Sequence, residues 1–344
     1  MNTKTKLILS RTAAYGIPVI VSLGLCYVLF TSIDFHEMAF VVREHCKPWW
    51  IAVTLAVSVL SHIFRAMRWR IQLRAIGLHS SLWEVTQSVF GMYAVNLVFP
   101  RLGELWRTTF ISKRQGAPFS QVFGTMVAER LGDILSVLII TALTFVLASG
   151  HLLEYLRGSG AATAAKIADM ATSPWLWSVL VAGVAGIWLF AAYSKNAVAR
   201  KIRGLLHGLW QGFAIVATMP GRGRWVLLTA AIWGCYFLQL YVAFYAFPFT
   251  AALVKAPGGT VAALVAFTLS SISMGVPSNG GIGPWQWAVI FALGSYGIAA
   301  IEAGAFANVV LGAETLLFIA LGLLTFASIA IYNKHHHNQP TVTE

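Results

Sequence analysis

Long apolar stretches, each closed by a short basic or Gly/Pro-rich segment, run the length of this chain. Thr12 to Ile33, Met170 to Ser194, Trp225 to Val254 and Thr315 to Asn333 contain no Asp, Glu, Lys or Arg. A helix that crosses a bilayer needs about 20 mainly apolar residues, so each of these predicts a membrane-depth segment. Lys255 to Glu302 is longer still and has no charged residue between its ends. It has room for two segments joined by Pro277-Ser278-Asn279-Gly280-Gly281, a sequence that breaks helices.

The basic residues decide the orientation. With a cytoplasmic N-terminus, 18 of the 24 Lys and Arg fall on the cytoplasmic side, among them Lys4, Lys6, Arg11, Arg68, Arg70, Arg74, Lys113, Arg114, Lys195, Arg200, Lys201 and Lys334. That bias is the positive-inside rule. It requires two segments to enter the membrane and return to the same side. One is a re-entrant hairpin over 83–113, broken at Phe99-Pro100-Arg101, and the other spans 260–299, broken between Pro277 and Pro284. The crossings are then 15–33, 49–68, 119–149, 175–194, 225–247 and 305–332. The expected fold is an all-α polytopic membrane protein of about six transmembrane helices plus two oppositely oriented re-entrant hairpins. Its first repeat is 49–149, its second, inverted, is 225–332, its cytoplasmic or interfacial linker is 195–224, and its polar tail is 334–344. Gly204 to Met219, flanked by basic residues, reads as a helix lying in the interface. Irregular backbone at membrane depth needs protein or a wet cavity around it, so the two breaks are expected to face one cavity.

Composition narrows the function classes. The chain is 58% hydrophobic and 10% charged, with mean hydropathy +0.73, which excludes an ordinary water-soluble enzyme. A net charge of +12 would attract nucleic acid, but the charges cluster beside apolar stretches, as in membrane loops. Cys26, Cys46 and Cys235 make no disulfide framework. The first apolar run has the length of a span and lacks a small-x-small cleavage pattern, so it reads as a retained helix. The adjacent His335, His336 and His337 lie on a polar terminus and are not read as a metal site. No nucleotide-binding Gly-rich motif is present, and no cofactor is expected.

Ionisable residues at membrane depth are the candidates for chemistry. Glu129, Arg130 and Asp133 lie about 15–20 Å into the 119–149 helix, with both carboxylates on one face. They either pin helices together as an ion-paired cluster or meet a substrate. In Asn96-Leu97-Val98-Phe99-Pro100-Arg101-Leu102-Gly103-Glu104-Leu105-Trp106-Arg107, the residues Arg101, Glu104 and Arg107 recur every third position and can share a helical face. Forked guanidinium groups, a close backbone at Gly103 and the amides of a helix start would suit a phosphate. Arginines that reach to the interface, as Arg68, Arg70 and Arg74 are expected to do, are the alternative. Glu314 in the last span serves either proton coupling or a helix-pairing hydrogen bond. The 13 tryptophans fall mostly near predicted interfaces and read as anchors.

Four segments in order carry a resemblance: Phe64-Arg65-Ala66-Met67-Arg68-Trp69, the Pro-Arg-Leu-Gly-Glu core of 96–107, Thr125 to Asp133, and Pro277 with Gly280-Gly281-Ile282-Gly283. Together they resemble the lysylphosphatidylglycerol synthase transmembrane-region family over nearly the whole chain. In its multiple peptide resistance factors this region is implicated in flipping aminoacylated phosphatidylglycerol, and a separate soluble domain makes the lipid. Extramembrane segments here are about 20–30 residues, too short for such a transferase domain. The resemblance implies that Arg65, Arg68, Asn96, Arg101, Glu104, Arg107, Glu129, Arg130 and Asp133 line a lipid-headgroup path. Asn279, Gly283 and Glu314 complete the candidate set, although the chain departs from many relatives at Ser278-Asn279 and Pro284 to Trp287. The leading expectation is a flippase for a phospholipid or polyprenyl-phosphate lipid in a bacterial inner membrane, alone, as a homodimer or with a lipid-synthesis enzyme. An intramembrane lipid-phosphate enzyme and a non-catalytic accessory protein are the other two classes.

Overall fold

The computed structural model describes residues 35–158, 218–276 and 278–337, with residues 178 and 196 singly. It divides into two compact units, one of Met1–Met126 with Gly223–Glu344 and one of Val127–Arg222. The described residues form helices, in chain order α1 (Phe35–His45), α2 (Pro48–Ala75), α3 (Leu82–Val98), α4 (Leu102–Gln115), α5 (Phe119–Gly158), α6 (Arg222–Ala243), α7 (Pro248–Lys255), α8 (Gly259–Ser273), α9 (Pro284–Ser295) and α10 (Ala300–His337), with a short 3₁₀ turn Phe244–Ala246 before α7.

Local sequence sets the ends. Pro48, Pro248 and Pro284 stand in the first turns of α2, α7 and α9, where the missing N–H costs nothing. Ser81 caps α3 reciprocally with Glu84: the Glu84 amide donates to Ser81 Oγ at 3.2 Å and the Ser81 amide to Glu84 Oε2 at 3.0 Å. A left-handed Gly258 turns the chain between α7 and α8 through 117°.

Four helical stretches are long and apolar enough to cross a membrane, Pro48–Ala75, Phe119–Ala148, Arg222–Ala246 and Ala300–Ile331. The crossings expected at 15–33 and, apart from residue 178, at 175–194 lie outside the described residues, as does the interfacial helix expected over Gly204 to Met219 apart from its last two residues. Two helices run beyond the expected crossings: α5 continues past residue 149 to Gly158, and α10 continues through Lys334 to His337. The reason is the same at both: Gly150 alone does not stop an apolar helix, and the first proline after α10 is Pro340.

In the larger unit α10 is central and packs against α1, α2, α3 and α9, while α3 pairs with α4 and α8 with α9. The apolar core joins Ala66, Trp69 and Leu73 of α2 to Val85, Val89 and Met92 of α3, Ile111 of α4 and Val122. Trp69 has no exposure, and its Nε1 donates to Thr125 Oγ1 at 3.0 Å. Trp69→Phe keeps a ring there and deletes the donor, so we expect a loss of about 1–2 kcal/mol, near the upper range for membrane hydrogen bonds, measured by thermal unfolding in detergent.

The distribution of polarity is the reverse of that in a soluble helix. Val226 and Leu227 of α6 and Leu316, Leu323 and Leu324 of α10 are exposed. The buried positions of α2 include Thr54, Ser58, Ser61, Arg65, Arg68 and Gln72, a polar stripe at alternating steps of four and three. Lipid on the outside and polar contacts between helices account for that arrangement.

Candidate functional site

The loop between α3 and α4 is built around two backbone peculiarities. Arg101 sits in the left-handed region at φ 62°, which a non-glycine residue rarely occupies. Gly103 allows no side chain: a Cβ there would overlap the Met92 carbonyl oxygen and stand 2.7 Å from Asn96 Oδ1. Asn96 Oδ1 in turn accepts the Gly103 amide at 2.8 Å, and the Leu102 amide donates to the Phe99 carbonyl at 3.2 Å. The first two amides of α4 are therefore used within the protein, and an exposed donor at the turn is the Arg101 guanidinium.

This turn meets the break between α8 and α9. Arg101 Nη2 donates to the Gly275 carbonyl, and a Cβ on the left-handed Gly280 would lie 2.6 Å from Leu97 Cδ2. Gly283, at φ 92°, donates its amide to Gln286 Oε1 at 3.0 Å, and Gln286 Nε2 donates to Asn308 of α10. Exposed Val98 and Phe99 flank Arg101, and exposed Met274 and Val276 flank Gly275. A cation is thus held against apolar surface where two helix breaks touch. Asn279 lies half-buried in the second break.

The remaining predicted residues separate into different places. Arg101, Glu104 and Arg107 do not share a face, because Arg101 stands outside the helical repeat. Arg107 is fully buried with its guanidinium carbon 4.1 Å above the Trp69 ring. Glu104 is half-buried, and its Oε2 has no hydrogen-bond partner among the described residues. Arg68 does not reach to an interface as expected. It is fully buried, donates to Thr229 Oγ1 at 3.2 Å and stacks 5.4 Å over Trp225, contacts that hold α2 to α6.

In the smaller unit, Arg130 Nη2 lies 3.3 Å from Glu129 Oε1 and 3.6 Å from Asp133 Oδ2. Glu129 has no exposure, and one guanidinium serves both carboxylates on the face that the spacing predicted.

Glu314 belongs to a cluster that sequence reasoning assembled only in part. Ser58 Oγ donates to its Oε1 at 2.6 Å and Gln239 Nε2 to its Oε2 at 2.7 Å, while His62 Nε2 stands 3.9 Å from Oε1. Arg65 donates to Tyr236 Oη at 3.0 and 3.2 Å through two of its nitrogens. Ser58, His62, Tyr236 and Gln239 were not anticipated. The polar stripe of α2 could have pointed to Ser58, with His62 one turn on beside it, whereas nothing comparable marks Tyr236 and Gln239 on α6.

The family described as "Lysylphosphatidylglycerol synthase TM region" matches residues 16–322. The chain belongs to that family. Among curated proteins, "Glycosyltransferase AglD" of Haloferax volcanii is 26% identical over 226 residues, which cover 58% of this chain and 36% of that protein. The family member described here thus spans about a third of the length of that relative. No solved structure matches it. Among the described residues there is no group of three His, Cys, Asp or Glu able to hold a metal.

Proposed function

We propose that this family member moves an anionic or aminoacylated phospholipid, or a polyprenyl-phosphate lipid, between the leaflets of a bacterial inner membrane. Six crossings, two opposed re-entrant hairpins and cytoplasmic termini form part of the reading, with a second copy or a lipid-synthesis enzyme as partner. The observation that carries it is the meeting of the two helix breaks at Arg101. Broken helices tolerate irregular backbone at membrane depth where they line a substrate path. A guanidinium bordered by Val98, Phe99, Met274 and Val276 matches an amphiphile, with its phosphate on the cation and its chains on the apolar rim.

The test is leaflet exchange of a fluorescent phosphatidylglycerol, and separately of a polyprenyl phosphate, in vesicles with the purified protein. Exchange no faster than in protein-free vesicles for both lipids sinks the reading. Arg101→Gly is the informative variant, because glycine takes the left-handed conformation without strain, so what is lost is the guanidinium with its hydrogen bond to the Gly275 carbonyl. We expect it to fold normally and to exchange lipid about tenfold more slowly, the equivalent of ~1.4 kcal/mol. The name of the Haloferax volcanii relative, a glycosyltransferase, favours a second reading, glycosyl transfer. Chemical turnover of the labelled lipid in the same vesicles separates it from movement alone.

A further inference from the structure

We propose that His62, Ser58 and Glu314 form a proton-binding relay inside the larger unit, and that loading it drives the lipid movement. The coupling rests on the flippase reading. The proton site stands on its own geometry.

Both carboxylate oxygens of Glu314 are held by neutral donors, Ser58 Oγ at 2.6 Å and Gln239 Nε2 at 2.7 Å. A pin between helices needs only an amide. A carboxylate at this depth is far more expensive, and what it adds is a second charge state. The chain of contacts also has a direction. Because the Ser58 hydroxyl hydrogen points to Glu314, its oxygen is left to accept from His62 Nε2, 3.3 Å away. That makes His62 the Nε2–H tautomer, with an acceptor lone pair on Nδ1. Nδ1 is buried and has no partner among the described residues. The bare lone pair on Nδ1 is therefore the place where an incoming proton can bind, with no existing hydrogen bond to break.

The transfer balances as follows. A proton binds Nδ1, the Nε2 proton moves to Ser58 Oγ, and the Ser58 hydroxyl proton moves to Glu314 Oε1. The products are a carboxylic acid at Glu314 and neutral His62 as the Nδ1–H tautomer, with one proton gained and nothing else changed. The reverse hops return it. Tyr93 at 4.4 Å and Phe318 at 5.2 Å between ring centres close over His62, and they stack on each other at 4.5 Å. The two ends differ in access: 4% of the His62 side chain is exposed against 15% for Glu314. The groups facing the relay are Arg65 from α2, one turn beyond His62, Tyr93 from α3, and Tyr236 and Gln239 from α6. On α10 the group is Glu314 itself. Loading raises the charge of this cluster by one, which favours an anionic headgroup in the loaded state.

Infrared titration of the full chain in detergent tests the site without any lipid. We expect a protonated-carboxyl band that grows on acidification, is absent in Glu314→Gln, and has a displaced midpoint in His62→Gln. No titrating band in the wild-type protein, or an unchanged band in Glu314→Gln, overturns the relay. If Glu314→Gln does not remain monodisperse, His62→Gln decides: an unmoved midpoint overturns it. The second arm imposes a pH gradient of about one unit on phosphatidylcholine vesicles carrying the fluorescent phosphatidylglycerol. For one proton per lipid, the leaflet ratio shifts by up to about tenfold, and the shift vanishes in Glu314→Gln. Lipid that moves without responding to the gradient overturns the coupling and leaves the flippase reading intact. A titrating band with no lipid movement removes the flippase reading and leaves the proton site.

Discussion

Gly103→Ala should unfold or misfold the turn between α3 and α4, at a cost of about 3 kcal/mol, the upper end of what over-packing exacts. The added methyl meets a backbone carbonyl, that of Met92, as well as the Asn96 side chain, and a backbone oxygen inside a helix has nowhere to go. The distinguishing control is the double variant with Asn96→Ala. Removing the amide clears one of the two obstacles but not the carbonyl, so stability does not return. Gly91 offers the contrast. Its Cβ would meet only the far edge of the Trp106 indole, so Gly91→Ala should be rescued by Trp106→Leu. Thermal unfolding in detergent measures all four. A Gly103→Ala protein as stable as wild type would mean that the close approach of α3 and α4 is not a requirement of the fold.

That approach was legible from the sequence only as a break. Pro100 and Gly103 predicted where the helix stops, and four of the expected crossings fall on helices of the right length and apolarity, because both signals are local. The charge pattern could not reveal that Arg101 leaves the helical repeat, since a left-handed φ at an arginine has no propensity signature. Reading Arg101, Glu104 and Arg107 as one face assumed a regular helix through the turn. The fate of Arg68 and Arg107 was hidden for another reason. Whether an arginine reaches to an interface or is sealed over a tryptophan depends on Trp225 and Trp69, and Trp225 is remote in sequence. His62 was missed because a lone histidine in an apolar run suggests core. Only the stripe from Thr54 to Gln72, buried along its length, shows that the polar face of α2 points inward.

The triad of the smaller unit offers the other large effect, and one that separates structure from function. Arg130→Met leaves the unexposed Glu129 carboxylate and the nearby Asp133 facing each other without the guanidinium that lies 3.3 and 3.6 Å from them. Glu129 is sealed while Arg130 keeps about a third of its side chain in contact with the surroundings, so screening trims the cost to about 1–3 kcal/mol, chiefly through the charge left behind. We expect Arg130→Met to lower the unfolding temperature more than any neutral substitution on α5. The full replacement Glu129→Gln, Arg130→Met, Asp133→Asn removes all three charges together and should restore part of that stability, because neither carboxylate then stays beside a missing guanidinium. Lipid exchange by the triple variant then decides the role of the triad. If the charges only hold the unit together, exchange returns with stability. Under the proposed headgroup path it stays at the protein-free rate, because a neutral triad of the same shape offers a lipid phosphate neither a cation nor a carboxylate for an attached amine.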